Sequence, residues 1–127
     1  MTRKQRTLRT AAEFTGVGLH SGETVTARVL PAGIDTGIEF VRTDLEDAPT
    51  IPAHIRYQSH KDRRTRLLRS GVEMETVEHF LAACRGLGVD NLRVEVSGGE
   101  FPGADGSAMP FLLALQQAGT VEQRADA

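Results

Sequence analysis

Glu78 and His79 stand side by side and offer the two side chains that metal-assisted hydrolysis needs. A neutral imidazole is a good zinc ligand, and a neighbouring carboxylate can deprotonate the water that the metal activates. Their setting is a helical pattern over residues 76–87, with apolar residues at Val77, Phe80, Leu81, Cys84 and Leu87. At about 100° per residue, Glu78 and His79 fall roughly 120° to 140° away from that stripe. They share the outer face with Glu75, Ala82 and Ala83, and the two alanines leave a shallow surface on which another element could dock. The ordinary reading of a Glu-His dipeptide on a helix is a solvated face. The two-histidine HExxH pattern does not apply, because position 82 is alanine.

A second candidate is the loop from Gly16 to Gly22, whose three glycines permit positive φ and close backbone approach. Such a loop can cradle a phosphate, but this one opens a strand and no helix, which removes the dinucleotide-binding reading. A shaped turn between strands is its ordinary role. His20 at its tip is the candidate substrate contact, set against a plain turn residue. The segment from Glu100 to Ser107 reads first as a turn and a helix cap. His54 and His60 lie in a polar, basic stretch that reads as a solvated loop.

The elements that must position these residues follow from periodicity. Residues 23–30 alternate Val25, Ala27 and Val29 against Thr24, Thr26 and Arg28, a half-buried strand. Residues 37–42 resume as a strand with Ile38 and Phe40 on one face, and residues 6–14 form a first strand. Residues 64–74 predict a hairpin turning at Ser70 and Gly71, and residues 91–96 one more strand. Besides the 76–87 helix, stopped by Gly86 and Gly88, a second is expected over residues 108–118. Asp105 and Ser107 are its candidate caps, Pro110 falls in its first turn, and Gly119 closes it. The order predicts an α+β fold, a two-layer sandwich with two helices packed on one face of a mostly antiparallel sheet. Residues 1–121 read as one domain and 122–127 as a polar, frayed tail.

Composition narrows the class. The chain has 127 residues, 39% hydrophobic and 25% charged, as in an ordinary soluble domain. A net charge of -2 gives no reason to propose nucleic acid as a partner. Cys84 is the only cysteine, which excludes an intramolecular disulfide and a multi-cysteine zinc site and fits a reducing compartment. The basic start of the chain is followed by no apolar core of a secretory signal, and no apolar run approaches a membrane span. A cytoplasmic location is the expectation.

Several motifs occur in order: Gln5-Arg6-Thr7-Leu8, the run from Thr15 to Gly22, Arg42-Thr43-Asp44-Leu45, and Thr76-Val77-Glu78-His79. The run from Gly86 to Asn91 and Asp105-Gly106-Ser107-Ala108 with Pro110-Phe111 follow. In this order and spacing the chain resembles, over nearly its whole length, the first domain of the UDP-3-O-acyl-N-acetylglucosamine deacetylases, the zinc enzymes of lipid A biosynthesis.

The resemblance implies two domains, each a sheet with two helices, with the active site between them. It implies removal of the N-acetyl group from an acylated UDP-glucosamine, with release of acetate. It casts Glu78 as general base and His79 as a zinc ligand. The family's other zinc ligands, a His and an Asp, and a proton-donating His belong to the second domain, and no His-Lys-x-x-Asp-like motif occurs here. A catalytic zinc site needs about three protein ligands, so the Zn2+ site is expected to be incomplete in this chain. A second-domain chain would supply the rest. Residues 59–74 depart from the family pattern, reading Asp62-Arg63-Arg64-Thr65-Arg66-Leu67-Leu68. The other reading is a non-catalytic, stand-alone domain that binds a partner protein or a nucleotide sugar.

Overall fold

The structure is a computed structural model that describes residues 3–61, 64–103 and 107–127. Among the described residues ten strands are formed: β1 (Lys4–Leu8), β2 (Ala12–Val17), β3 (Thr24–Pro31), β4 (Ile38–Arg42), β5 (Thr50–Pro52), β6 (Gln58–Lys61), β7 (Arg64–Arg69), β8 (Val72–Glu75), β9 (Leu92–Val96) and β10 (Thr120–Asp126). Two helices, α1 (Glu78–Leu87) and α2 (Met109–Ala118), and a short 3-10 turn at Ile55–Tyr57 complete the described elements. The main sheet has the order β2-β3-β9-β4-β5; β4 and β9 pair parallel and the other neighbours antiparallel. β6, β7 and β8 form a separate antiparallel sheet, and β1 pairs with β10. This is the expected α+β arrangement, with helices packed on sheet.

Side-chain alternation sets the core face. In β3 Val25, Ala27 and Val29 point inward while Thr24 and Arg28 stay exposed. The register continues this row across the sheet: Val29 lies opposite Val94, Val94 beside Phe40, and Phe40 opposite Ile51, all buried. The helices cover this face through aromatic residues. Phe80 of α1 meets Phe40 at 6.1 Å and Phe14 at 6.3 Å between ring centroids, edge-on. Phe111 of α2 meets Phe14 at 5.0 Å and Phe80 at 6.0 Å. A fully buried phenylalanine contributes roughly 1.5 to 3 kcal/mol, so this cluster is the main anchor of α1.

Four expectations are corrected. Residues 6–14 are two strands, because the chain breaks at Arg9 to Ala11, where Arg9 N–H donates to Gly119 O and Thr10 Oγ1 to Ala118 O. Residues 122–127 are no frayed tail: Glu122–Asp126 belong to β10, whose ladder to β1 supplies backbone partners without needing apolar side chains. α1 starts at Glu78 rather than Thr76, since Thr76 adopts φ +61°. Finally, Glu75 and Ala83 are buried rather than on the outer face. Glu75 ends β8, so the helical projection does not reach it, and Ala83 lies in the seam between the helices and the sheet.

Other signals act as read. Gly88 closes α1 at φ 67°, with Val89 N–H returning to Cys84 O at 2.9 Å. Ser70 and Gly71, at φ 52° and 80°, make the hairpin turn of β7 and β8. The expected cap of α2 differs: the cap position is Ala108, without a side-chain hydrogen bond, while Ser107 just before it accepts from Met109 N–H at 3.3 Å and Asp105 lies outside the described residues.

Candidate functional site

The site begins with a break in the backbone. Thr76 is β-branched yet sits in the left-handed region, a conformation that typically costs on the order of 1–3 kcal/mol and persists only when neighbours hold it. Two hydrogen bonds do so. Thr76 N–H donates to Thr65 O at 2.8 Å, and its hydroxyl donates to the Glu100 carboxylate at 2.8 Å. The turn ends β8 and starts α1 immediately afterwards, with Val77 fully buried and Phe80 locked in the aromatic cluster. Glu78 and His79 are thereby the first two residues of the helix, half-buried at its N-terminal end.

Glu78 lies in the first turn of α1, among N–H groups that have no partner within the helix. Glu78 also accepts a hydrogen bond from Thr65 N–H at 3.3 Å, so strand β7 flanks the carboxylate. Thr65 therefore touches the site twice, once through its carbonyl to Thr76 and once through its amide to Glu78. Ala82 is exposed, one turn beyond both residues, and Gly86 lies a turn further. On α2, Met109 and Leu113 are 54% and 57% exposed. Ala82 and Gly86 thus put small groups on the same side of α1 as Glu78 and His79, and α2 exposes two apolar side chains.

His20 occupies a different place. It is exposed at the tip of the β2–β3 loop, and its N–H donates to both oxygens of Glu100 at 3.1 and 3.2 Å. It borders a cavity of about 280 Å³ lined also by Ser21, Glu23, Glu73, Glu75 and Glu100, and Glu78 and His79 are not part of that lining. The loop is held on the segment after β9: Gly103 N–H donates to Val17 O at 3.0 Å. A Cβ at Gly18 would collide with the Glu100 carboxylate, so the glycine there permits close approach.

Glu100 opens the segment that the sequence offers as a turn and helix cap, with no site role for its carboxylate. Desolvation by burial is the largest influence on it and favours the neutral acid. The hydrogen bonds from Ser21 N–H, the Thr76 and Ser21 hydroxyls and His20 N–H together outweigh it and hold the carboxyl below the usual glutamate range. Its position in a glycine-rich turn carries no sequence signal of this role. Cys84 is the opposite case: it is buried in the core, and burial pushes its thiol up to about 12. His54 caps the 3-10 turn, its Nδ1 accepting from Arg56 N–H at 3.1 Å, and His60 lies in β6.

The donor chemistry fits one part of a metal site. His79 is a half-buried imidazole at a helix start with a carboxylate next to it, suited to one ligand and one base. Among the described residues no three His, Cys, Asp or Glu side chains converge on a common point. Also among them, no helix is long and apolar enough to cross a membrane.

Comparison with known proteins agrees along the chain. The sequence model of the family described as UDP-3-O-acyl N-acetylglycosamine deacetylase matches residues 5–127. The UDP-3-O-acyl-N-acetylglucosamine deacetylase of Hahella chejuensis is 50% identical over 122 residues, which is 96% of this chain and 40% of the relative. Those of Chromohalobacter salexigens and Saccharophagus degradans are 49% and 48% identical over the same span. The chain therefore spans about two-fifths of the length of these curated relatives.

Proposed function

The chain belongs to the UDP-3-O-acyl N-acetylglycosamine deacetylase family, and on that premise we propose that it forms one wall of a zinc-dependent deacetylase site. The substrate is UDP-3-O-acyl-N-acetylglucosamine, the reaction is a step of lipid A biosynthesis, and its setting is the cytoplasm. The observation that carries this reading is the placement of Glu78 and His79 together at the start of α1, beside an exposed small-residue surface.

In this reading His79 holds zinc through one imidazole nitrogen, and the remaining ligands come from a second domain or chain docked on the helical layer. Zinc, when bound, supplies a Lewis acid that favours the ionised form of water and polarises the amide carbonyl. Glu78 takes a proton from the attacking water as its oxygen bonds to the acetyl carbon. The carbon–nitrogen bond then breaks, and the amine leaves with a proton returned by an acid on the partner. Acetate and the free amino sugar are the products. Thr65 N–H fixes the direction of the Glu78 carboxylate, and His20 contacts the substrate from the neighbouring loop.

The test is reconstitution. This chain is mixed with the complementary second domain of the family, and acetate release from the nucleotide sugar is measured. Turnover that depends on Glu78 supports the reading. Tight binding of the nucleotide sugar or of the partner without any acetate release would replace it with the non-catalytic one.

A further inference from the structure

Glu100 lies outside the Glu78 and His79 pair, and no step of the proposed reaction uses it. Its surroundings are unusual for a carboxylate 5% exposed, because its hydrogen-bond donors come from the two segments that carry candidate site residues. Ser21 N–H donates at 2.8 Å and His20 N–H at 3.1 Å, both from the β2–β3 loop. The Thr76 hydroxyl donates at 2.8 Å from the turn that starts α1.

The backbone around Glu100 makes the attachment rigid. Glu75 N–H donates to Gly99 O at 2.8 Å and Phe101 N–H to Glu75 O at 2.9 Å, so the residue is held on both sides by the end of β8. The loop presses against the same segment, since a Cβ at Gly16 would come within 2.7 Å of Gly103 O. The next residue, Phe101, anchors the segment in the core through the ring cluster of Phe14, Phe40, Phe80, Phe101 and Phe111. A carboxylate is the one side chain that can accept from three such donors at once without offering a competing hydrogen of its own.

We propose that Glu100 is a positioning residue: its carboxylate holds the loop bearing His20 in fixed relation to the turn from which α1 presents Glu78 and His79. The proposal rests on the reading of Glu78 and His79 given above. It explains why Thr76 keeps a left-handed backbone without being glycine, since its hydroxyl is needed by Glu100. Among the described residues, His20, Glu23, Glu73 and Glu75 line the cavity with Glu100 and are the ionisable groups that face it.

The experiment has two arms. In the first, amide hydrogen exchange is measured by NMR in the wild-type chain and in Glu100→Gln, whose amide offers one accepting oxygen and two hydrogens. Exchange at His20 and Ser21 is expected to rise at least about tenfold while Val29 and Val94 in the central sheet stay protected. Unchanged exchange at His20 and Ser21 overturns the proposal. If Glu100→Gln does not fold, the wild type decides. Its His20 and Ser21 amide shifts must move together as the pH falls below the ordinary glutamate range, and static shifts overturn the proposal.

In the second arm, the enzyme reconstituted with the second domain is assayed per folded molecule. Glu100→Gln is expected to lower kcat at least about tenfold at saturating substrate, with its melting midpoint still above the assay temperature. A freed loop with unchanged kcat would confine Glu100 to folding and overturn the proposal. A wild-type enzyme with no turnover at all would instead sink the deacetylase reading, and the exchange arm would then decide alone whether Glu100 fixes the loop.

Discussion

The backbone amide of Thr65 points at the carboxylate of Glu78, 3.3 Å away, and the carbonyl of the same residue holds Thr76 at 2.8 Å. One residue of β7 thus steadies both the proposed base and the turn that places it. The small sheet is joined to the helix start at the point where chemistry is proposed.

The first expectation concerns the base. Glu78→Gln keeps the size and the hydrogen bond from Thr65 but cannot take a proton from water. Turnover in the reconstituted enzyme should fall by about 10² to 10⁴, with zinc content by metal analysis unchanged. An undiminished rate removes Glu78 from the mechanism.

Stability should separate the site from its anchor. His79→Ala, at a half-buried position outside the aromatic cluster, should shift unfolding by no more than about 0.5 kcal/mol while lowering zinc retention. Phe80→Ala should cost about 3 to 5 kcal/mol through the cavity it leaves. Leu81 is only partly buried, beside a groove, and its truncation should cost less, about 1 to 2 kcal/mol. Urea melts of the three variants give the order; a His79→Ala chain that unfolds would make His79 a core residue.

Ala82 tests the docking face. It is exposed and sits one turn beyond Glu78 and His79. Ala82→Arg should leave the melt of the isolated chain unchanged and weaken association with the second domain at least about tenfold, by bulk alone. Titration calorimetry or sizing would show it, and equal affinity would move the interface elsewhere.

Acid should destabilise the chain in a definite window. Glu100, Asp44 and Asp90 all have carboxyls held below their ordinary values: Glu100 by its donors, Asp44 by Arg42, and Asp90 by Arg3 and the Arg6 amide. A depressed folded value means that the stabilisation is fully present above the ordinary carboxylate range. It is lost as the pH falls through the depressed values. Unfolding free energy followed from neutral to acid pH should therefore decline there, and Glu100→Gln should flatten the slope. An equal slope in the variant would show that Glu100 is not one of the groups responsible.

Cys84 gives the converse sign. Burial raises its thiol to about 12, so its neutral form is favoured in the folded chain and its contribution is lost only as the pH climbs toward that value. At neutral pH a thiol reagent should react with Cys84 at the rate of unfolding. Immediate reaction in the native state would show that the helix seam opens freely.

Much of this architecture is legible in the residues. Val25, Ala27 and Val29 alternate so cleanly that β3 and its inward face follow at once, and the spacing of Phe80 and Cys84 gives α1 and its buried stripe. What stayed hidden has physical causes. β10 reads as a tail because Thr120–Asp126 is an edge strand held by backbone pairing and by Gln123 to Ala32 O, and neither leaves an apolar pattern. Ala83 carries no strong preference of its own, and only the packed helix shows it turned inward. In the site, Glu78 and His79 are readable as a pair, whereas Glu100 acquires its role from donors 24 to 80 residues away in sequence.

The parallel pairing of β4 with β9 carries a kinetic consequence. Two strands that run the same way cannot be joined by a tight turn, and everything from Thr43 to Asn91 is the crossover between them. That crossover contains β5, the small sheet and α1, and so contains Glu78 and His79. β9 is also the middle strand, with β3 on its other side. Closing the central sheet therefore requires pairing across that whole segment, which makes assembly dependent on distant contacts and correspondingly slow. The pair Glu78 and His79 thus lies inside the long loop that this pairing has to close.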